Sequence, residues 1–168
     1  MLTREEIQAI RDAANCMRDR ALFDFLIYTG QRNTATRSLR IKDLDLENGR
    51  FRLNPDAAGL KSAEENGKWR DLLLSAASIR DYLSTEHPDP ENPEAYVFVS
   101  RPKYGGPKPT TMLDVTTIGA IVGRLADRAA EEHPSIKGKP TYPHALRHNF
   151  VTIALRRGMD ESAIKHQI

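Results

Sequence analysis

Apolar residues recur at helical spacing over most of the chain and switch to strict alternation over one short stretch near residue 50. Ile7, Ile10, Ala14 and Met17 share one helical face, which predicts a first helix over roughly residues 4–16. Thr3 stands where an N-cap belongs, and Glu6 three residues later completes a capping box. Ala21, Leu22, Phe25, Leu26 and Ile27 predict a mostly buried second helix over about 18–28, terminated by Gly30. A short third helix starts near Asn33 or Thr34, carries Ala35 and Leu39 on one face and ends near Arg40.

The period then changes. Residues 43–53 alternate around Asn48-Gly49, a strong hairpin signal, and 68–74 reads as a further strand after a polar stretch. Helical spacing returns from Ser75 to Leu83, from Thr116 to Glu132 and from His144 to Arg156. Tyr96 to Val99 is a short apolar run, extended or at a helix edge, between proline-rich loops, and Asp160 caps a last helix ending at Ile168. The predicted fold is mainly α with a small three-stranded antiparallel sheet, an α+β order of helices, sheet and helices.

A length of 168 residues with 39% hydrophobic positions fits one domain with a real core. No window approaches eighteen consecutive apolar residues, so a membrane span is not expected, and the charged start lacks the apolar stretch of a secretory signal. Cys16, a single cysteine, allows no disulfide framework within one copy and reads as a small buried hydrophobe. An intracellular, cytoplasmic protein is the expectation. Net charge is only +2, but its distribution is uneven: 9 basic against 8 acidic residues over 1–50, 5 against 9 over 51–100, and 11 against 6 over 101–168. A basic C-terminal third suits a polyanion without demanding one.

The candidate chemistry lies in basic residues. Arg32 follows Thr29-Gly30-Gln31 at a helix start, and His144 and Arg147 lie three apart on one helix with His148 able to join their face. Two arginines converging on a phosphate would supply fork-shaped, permanently charged donors, and a histidine could donate a hydrogen bond or move a proton. Spacing alone leaves open whether these residues share a pocket or are separate surface charges. The His144–His148 spacing also suits a metal pair, but the segment lacks the glutamate of a zinc-protease motif and places Arg147 beside any ion, so no metal and no cofactor are expected.

Tyr28-Thr29-Gly30-Gln31-Arg32 with Leu39 and Asp43-Leu44-Asp45, and later His144-Ala145-Leu146-Arg147-His148-Asn149-Phe150, resemble the catalytic domain of the tyrosine recombinases, the phage integrase family. The opening Leu2-Thr3-Arg4-Glu5-Glu6 is similar to that domain's first helix. The resemblance covers nearly the whole chain and is weakest from Pro88 to Gly138. It implies a mainly helical fold with a small sheet after the first catalytic arginine. It implies catalytic roles for Arg32, His144 and Arg147, with a lysine at Lys61 or, as the alternative, Lys68.

The implied partner is double-stranded DNA, with Arg37, Arg40, Lys42, Lys103, Lys108, Lys137 and Lys139 as candidate backbone contacts. The implied reaction needs no metal: a tyrosine attacks the scissile phosphate to form a 3'-phosphotyrosyl link. Two departures stand out. The family's acid three residues after the first arginine is replaced by Ala35, with Asp24 or Asp43 as substitutes. None of Tyr28, Tyr82, Tyr96, Tyr104 or Tyr142 occupies the nucleophile's position. The expectation is a partial catalytic domain over 1–168, without the N-terminal core-binding domain and the tyrosine segment. The full-length protein would act as a homo-tetramer on DNA and the isolated piece would be monomeric. A non-catalytic DNA-binding protein or recombinase remnant is the alternative.

Overall fold

The computed structural model describes residues 1–53, 67–101 and 111–168. Helix α1 (Arg4–Asp12) starts at the capping box read from the sequence: Thr3 accepts from the Glu6 amide, and the Glu6 carboxylate accepts from the Thr3 amide. It stops at Asp12, a turn earlier than the spacing suggested, with Ala13 as its C-cap. Helix α2 (Met17–Thr29) buries nearly every side chain, and its amide end is capped from a distance by Glu86, whose carboxylate accepts from the Met17 and Arg18 amides. Gly30 ends α2 in a left-handed conformation, φ 65°. Helix α3 (Asn33–Ser38) follows three residues later.

The sheet has order β1-β2-β3, all antiparallel, with β1 (Leu44–Asp45), β2 (Arg50–Arg52) and β3 (Trp69–Asp71). The hairpin between β1 and β2 forms where Asn48-Gly49 placed it, but through four loop residues, Leu46 to Gly49. The Asp45 carboxylate accepts from the Asn48 amide and side chain, and Gly49 alone takes positive φ, 64°. The third strand is shorter than the 68–74 expected. Leu73 turns to φ 51°, which breaks the extended run and lets α4 (Ser75–Thr85) begin. Phe51 joins the sheet to the helical core: its ring meets Phe25 of α2 edge-on at 5.1 Å, and Phe25 also contacts Phe98 at 5.8 Å. Trp69 of β3 has the Arg50 and Arg52 guanidinium groups 5.0 and 5.6 Å from its ring centre.

The remaining helices are α5 (Val115–Glu132), α6 (Pro143–Arg156) and α7 (Glu161–Gln167), with Asp114 and Asp160 as side-chain N-caps of α5 and α7. A 3-10 turn, Pro134–Ile136, lies between α5 and α6. Tyr96 to Val99 is extended: Arg40 bridges to Tyr96 and Val99 to Met112. The core gathers around α2, which packs on α4 and α6, while α1 packs on α5. Cys16 is buried, as expected. Among the described residues no helix is long and apolar enough to cross a membrane.

Two features of this frame yield direct tests. A Cβ on Gly30 would stand 2.6 Å from Cδ1 of Phe150 on α6, whereas one on Gly49 would meet nothing within 4 Å. Gly30→Ala therefore combines left-handed strain with overpacking, about 2–4 kcal/mol, while Gly49→Ala pays only the strain, about 1 kcal/mol. Urea denaturation of both variants checks the difference, and equal losses would refute the close-packing argument. Glu6 is the second feature. Burial raises its carboxyl pKa, but Lys139 (2.7 Å to each oxygen), Ser135 (2.6 Å) and the Thr3 amide outweigh that and bring it from 4.5 down to about 2. Because the folded value is depressed, its contribution is complete above 4.5 and is lost as pH falls toward 2. Glu6→Gln should cost about 1–3 kcal/mol at neutral pH. That gap should close on acidification below 4.5 in urea titrations at stepped pH; a pH-independent gap would contradict the ion pair.

Candidate phosphate-binding site

The Gly30 turn brings the two arginine motifs together. Arg32 is the N-cap residue of α3; its main-chain oxygen accepts from the Thr36 amide and hydroxyl, and its side chain is exposed. Helix α3 is lashed to the start of α5, since Asn33 Nδ2 donates to the Val115 oxygen at 3.0 Å and Arg37 Nε to the Leu113 oxygen at 2.5 Å. This fixes the direction in which Arg32 leaves the backbone.

Helix α6 carries the second motif. Pro143 occupies its first turn, where a missing amide hydrogen costs nothing. Ala145, Leu146, Asn149 and Phe150 are buried, which leaves His144 and His148 exposed and Arg147 half-buried at the rim. Arg147 Nη1 donates to the Gly30 carbonyl at 2.8 Å, so the guanidinium is held directly against the turn that precedes Arg32. Asn149 anchors the helix from behind: its Oδ1 accepts from the Leu2 amide at 2.8 Å and its Nδ2 donates to the Ala145 carbonyl.

Gln31, Arg32, Asn33, Thr34, Tyr142, Pro143, His144 and Arg147 line a cavity of about 410 Å³. Two cations and an imidazole from distant parts of the sequence thus face one open hollow, suited to an oxyanion of phosphate size that remains attached to a larger molecule. A smaller hollow of about 180 Å³ is lined by Arg18, Tyr82, Glu86, Pro88, Val99, Ser100 and Arg101. Arg18 there is committed to Asp19 and to the Val99 carbonyl.

Helix α7 is tied to the arginine loop. Gln31 Nε2 donates to the Gln167 carbonyl at 2.5 Å, while the Gln167 side chain accepts from the Asp71 amide at 3.1 Å and donates to the Asp71 carbonyl at 2.7 Å. An amide side chain thereby pairs with the edge of β3 as a neighbouring strand would. These buried glutamines were not singled out from the sequence. Glutamine in a polar segment carries no signal that its partner will be a strand edge.

The other candidates fall in several settings. Lys61, Lys103 and Lys108 lie outside the described residues. Lys68 is exposed just before β3 and does not line the cavity. Lys137 is exposed, whereas Lys139 is engaged with Glu6. Arg40 and Lys42 both reach Glu94, at 2.6 and 2.8 Å, which tethers them to the loop after α4. Ala35 is buried. Of the two acids suggested in its place, Asp24 is held by a two-pronged contact from Arg11, and Asp43 accepts from Arg52 and from the Arg40 amide. Tyr142 is 56% exposed at the cavity wall. Burial raises the pKa of the Tyr28 and Tyr82 hydroxyls.

Known proteins resemble this chain along nearly all of it. TnP I resolvase of Bacillus thuringiensis is 26% identical over 162 residues, covering 91% of this chain and 46% of that protein. Tyrosine recombinase XerH of Campylobacter jejuni is 24% identical over 166 residues, covering 95% of this chain and 42% of that protein. The chain therefore spans just under half the length of these two relatives. The solved structure of XerA recombinase matches with a TM-score of 0.74 at 25% identity, over 99% of this chain and 53% of that one. XerH site-specific recombinase bound to its difH substrate in a pre-cleavage complex matches in fold, with a TM-score of 0.69 at 18% identity over 99% of this chain and 46% of that one. Residues 1–168 match the phage integrase family over their whole length, and with the fold of a tyrosine recombinase catalytic domain the chain belongs to that family.

Proposed function

We propose that residues 1–168 form part of the catalytic domain of a site-specific DNA recombinase that cleaves and rejoins strands through a 3'-phosphotyrosyl intermediate. The observation that carries this reading is the single cavity shared by Arg32, His144 and Arg147. Family membership and the recombinases among its relatives support the reaction class, and the XerH complex with its DNA substrate supports duplex DNA as the partner.

In this mechanism the two arginines hold the non-bridging oxygens of the scissile phosphate, where negative charge grows in the transition state. A tyrosine oxygen forms a bond to phosphorus as the bond to the 5' oxygen breaks. The departing 5' oxygen takes a proton from a lysine, and His144 assists proton transfer at the phosphate. Lys61 is the preferred donor and Lys68 the alternative. Rejoining reverses these steps with the 5'-hydroxyl of a partner strand as the attacking group. In this reading the nucleophile is a tyrosine other than those among the described residues. Tyr28 and Tyr82 are held in or against the core, Tyr96 lies under Arg40, and Tyr142 precedes the helix that carries His144. Exposed cations such as Lys137 contact the DNA backbone, which makes binding steeply salt-dependent.

The test uses a chain extended through its tyrosine segment and a nicked duplex that traps the covalent complex. Arg32→Ala and Arg147→Ala should each lower covalent-complex formation by about 10²-fold or more. Duplex affinity in a mobility-shift assay should fall only a few-fold, since one phosphate contact among many is lost. Equal losses in cleavage and binding would overturn the catalytic assignment and favour a domain that only holds DNA.

A further inference from the structure

His144 and His148 form a pair that the proposed reaction does not fully use. Their Nε2 atoms are 2.9 Å apart, their ring centres 4.4 Å apart, and both side chains are exposed on α6. A contact of that length between two imidazole nitrogens holds one shared proton, with one nitrogen donating and the other accepting. Two nitrogens bound at right angles to an ion about 2.0–2.1 Å away stand about 2.9 Å apart, against about 3.3 Å in a tetrahedral site. At 2.9 Å the two nitrogens are held by a hydrogen bond, and the same proximity brings both within reach of one ion without selecting its coordination geometry; the order of imidazole affinity then favours Cu²⁺ and Ni²⁺. Each ring must rotate well away from the nitrogen–nitrogen line so that the two lone pairs converge, and exposure of both side chains permits that rotation.

We propose that His144 and His148 chelate a late first-row divalent ion, Ni²⁺ or Cu²⁺ in preference to Zn²⁺. The ion displaces the shared proton to solvent, and water fills the other coordination positions. Among the described residues no third histidine, cysteine or carboxylate completes a cluster. The positive charges of Arg32 and Arg147 nearby oppose binding, which is a further reason to expect only the strongest imidazole-binding ions to hold. Arg147 is drawn toward the Gly30 carbonyl, and that contact leaves the outer faces of both rings open to solvent. An ion here occupies the nitrogen that His144 would turn to a phosphate, so metal and substrate compete for it. The binding site stands on geometry alone; the inhibitory consequence rests on the function proposed above.

Untagged 1–168 chain titrated with NiCl₂ in a non-coordinating buffer, above the imidazole pKa, provides the test. Calorimetry should show one Ni²⁺ bound per chain, and the paramagnetic ion should broaden the ring signals of His144 and His148 selectively. His148→Gln and His144→Gln should each weaken binding about tenfold or more, since one imidazole cannot chelate. His133→Gln, which removes an exposed histidine at the end of α5, should bind like the parent chain. Absence of uptake, or unchanged affinity in His148→Gln, would overturn the proposal whatever the chain does to DNA.

Discussion

The site depends on one close approach, between the Gly30 turn and helix α6. Gly30 adopts a left-handed conformation that only glycine takes without strain, and its bare α-carbon lets the Phe150 ring press against it. With the turn held there, its carbonyl faces Arg147 at 2.8 Å. The same turn delivers Arg32 two residues later, so one backbone feature sets the spacing between two guanidinium groups. A catalytic arrangement needs such rigidity, because displacement of a charged donor by an ångström loses much of its effect on a developing oxyanion.

Other contacts hold the pieces around that turn. The core packing of α2 against α4 and α6 supplies the non-directional part of the stability, with Phe25 meeting Phe51 and Phe98. Directional bonds then select one arrangement. Asn33 and Arg37 tie α3 to the start of α5, Asn149 ties α6 to the first residues of the chain, and Gln31 and Gln167 tie the arginine loop to α7 and the edge of β3. Gln31, Asn149 and Gln167 are buried polar groups paired in this way, and at such sites a lost partner costs more than the bond itself is worth.

Features set by neighbours in sequence were legible before the structure. The Thr3–Glu6 capping box, the Asp160 cap, the end of α2 at Gly30 and the shared face of His144, Arg147 and His148 all follow from residues within a turn or two of one another. The β1–β2 hairpin was visible, but its loop length was not, because the Asp45 carboxylate gathers the Asn48 amide and side chain and shifts the turn. The third strand was over-extended because nothing in Leu72-Leu73-Leu74 reveals the positive φ at Leu73. Long-range pairing was the hardest part. Arg40, Lys42 and Lys139 look like loose surface cations in the sequence, and only the fold brings Glu94 and Glu6 to them. The meeting of Arg32 with His144 and Arg147 belongs to the same class; periodicity could not place them together, and the family resemblance was needed to expect it.

The central claim is that Arg32 and Arg147 address one phosphate. Crystals of the chain soaked in tungstate, a tetrahedral oxyanion with a strong anomalous signal, test it most directly. The account predicts one tungstate in the cavity between Gln31 and His144, within hydrogen-bonding distance of both guanidinium groups and of the His144 ring. Tungstate bound to only one of the arginines, or bound elsewhere with this cavity empty, would contradict it.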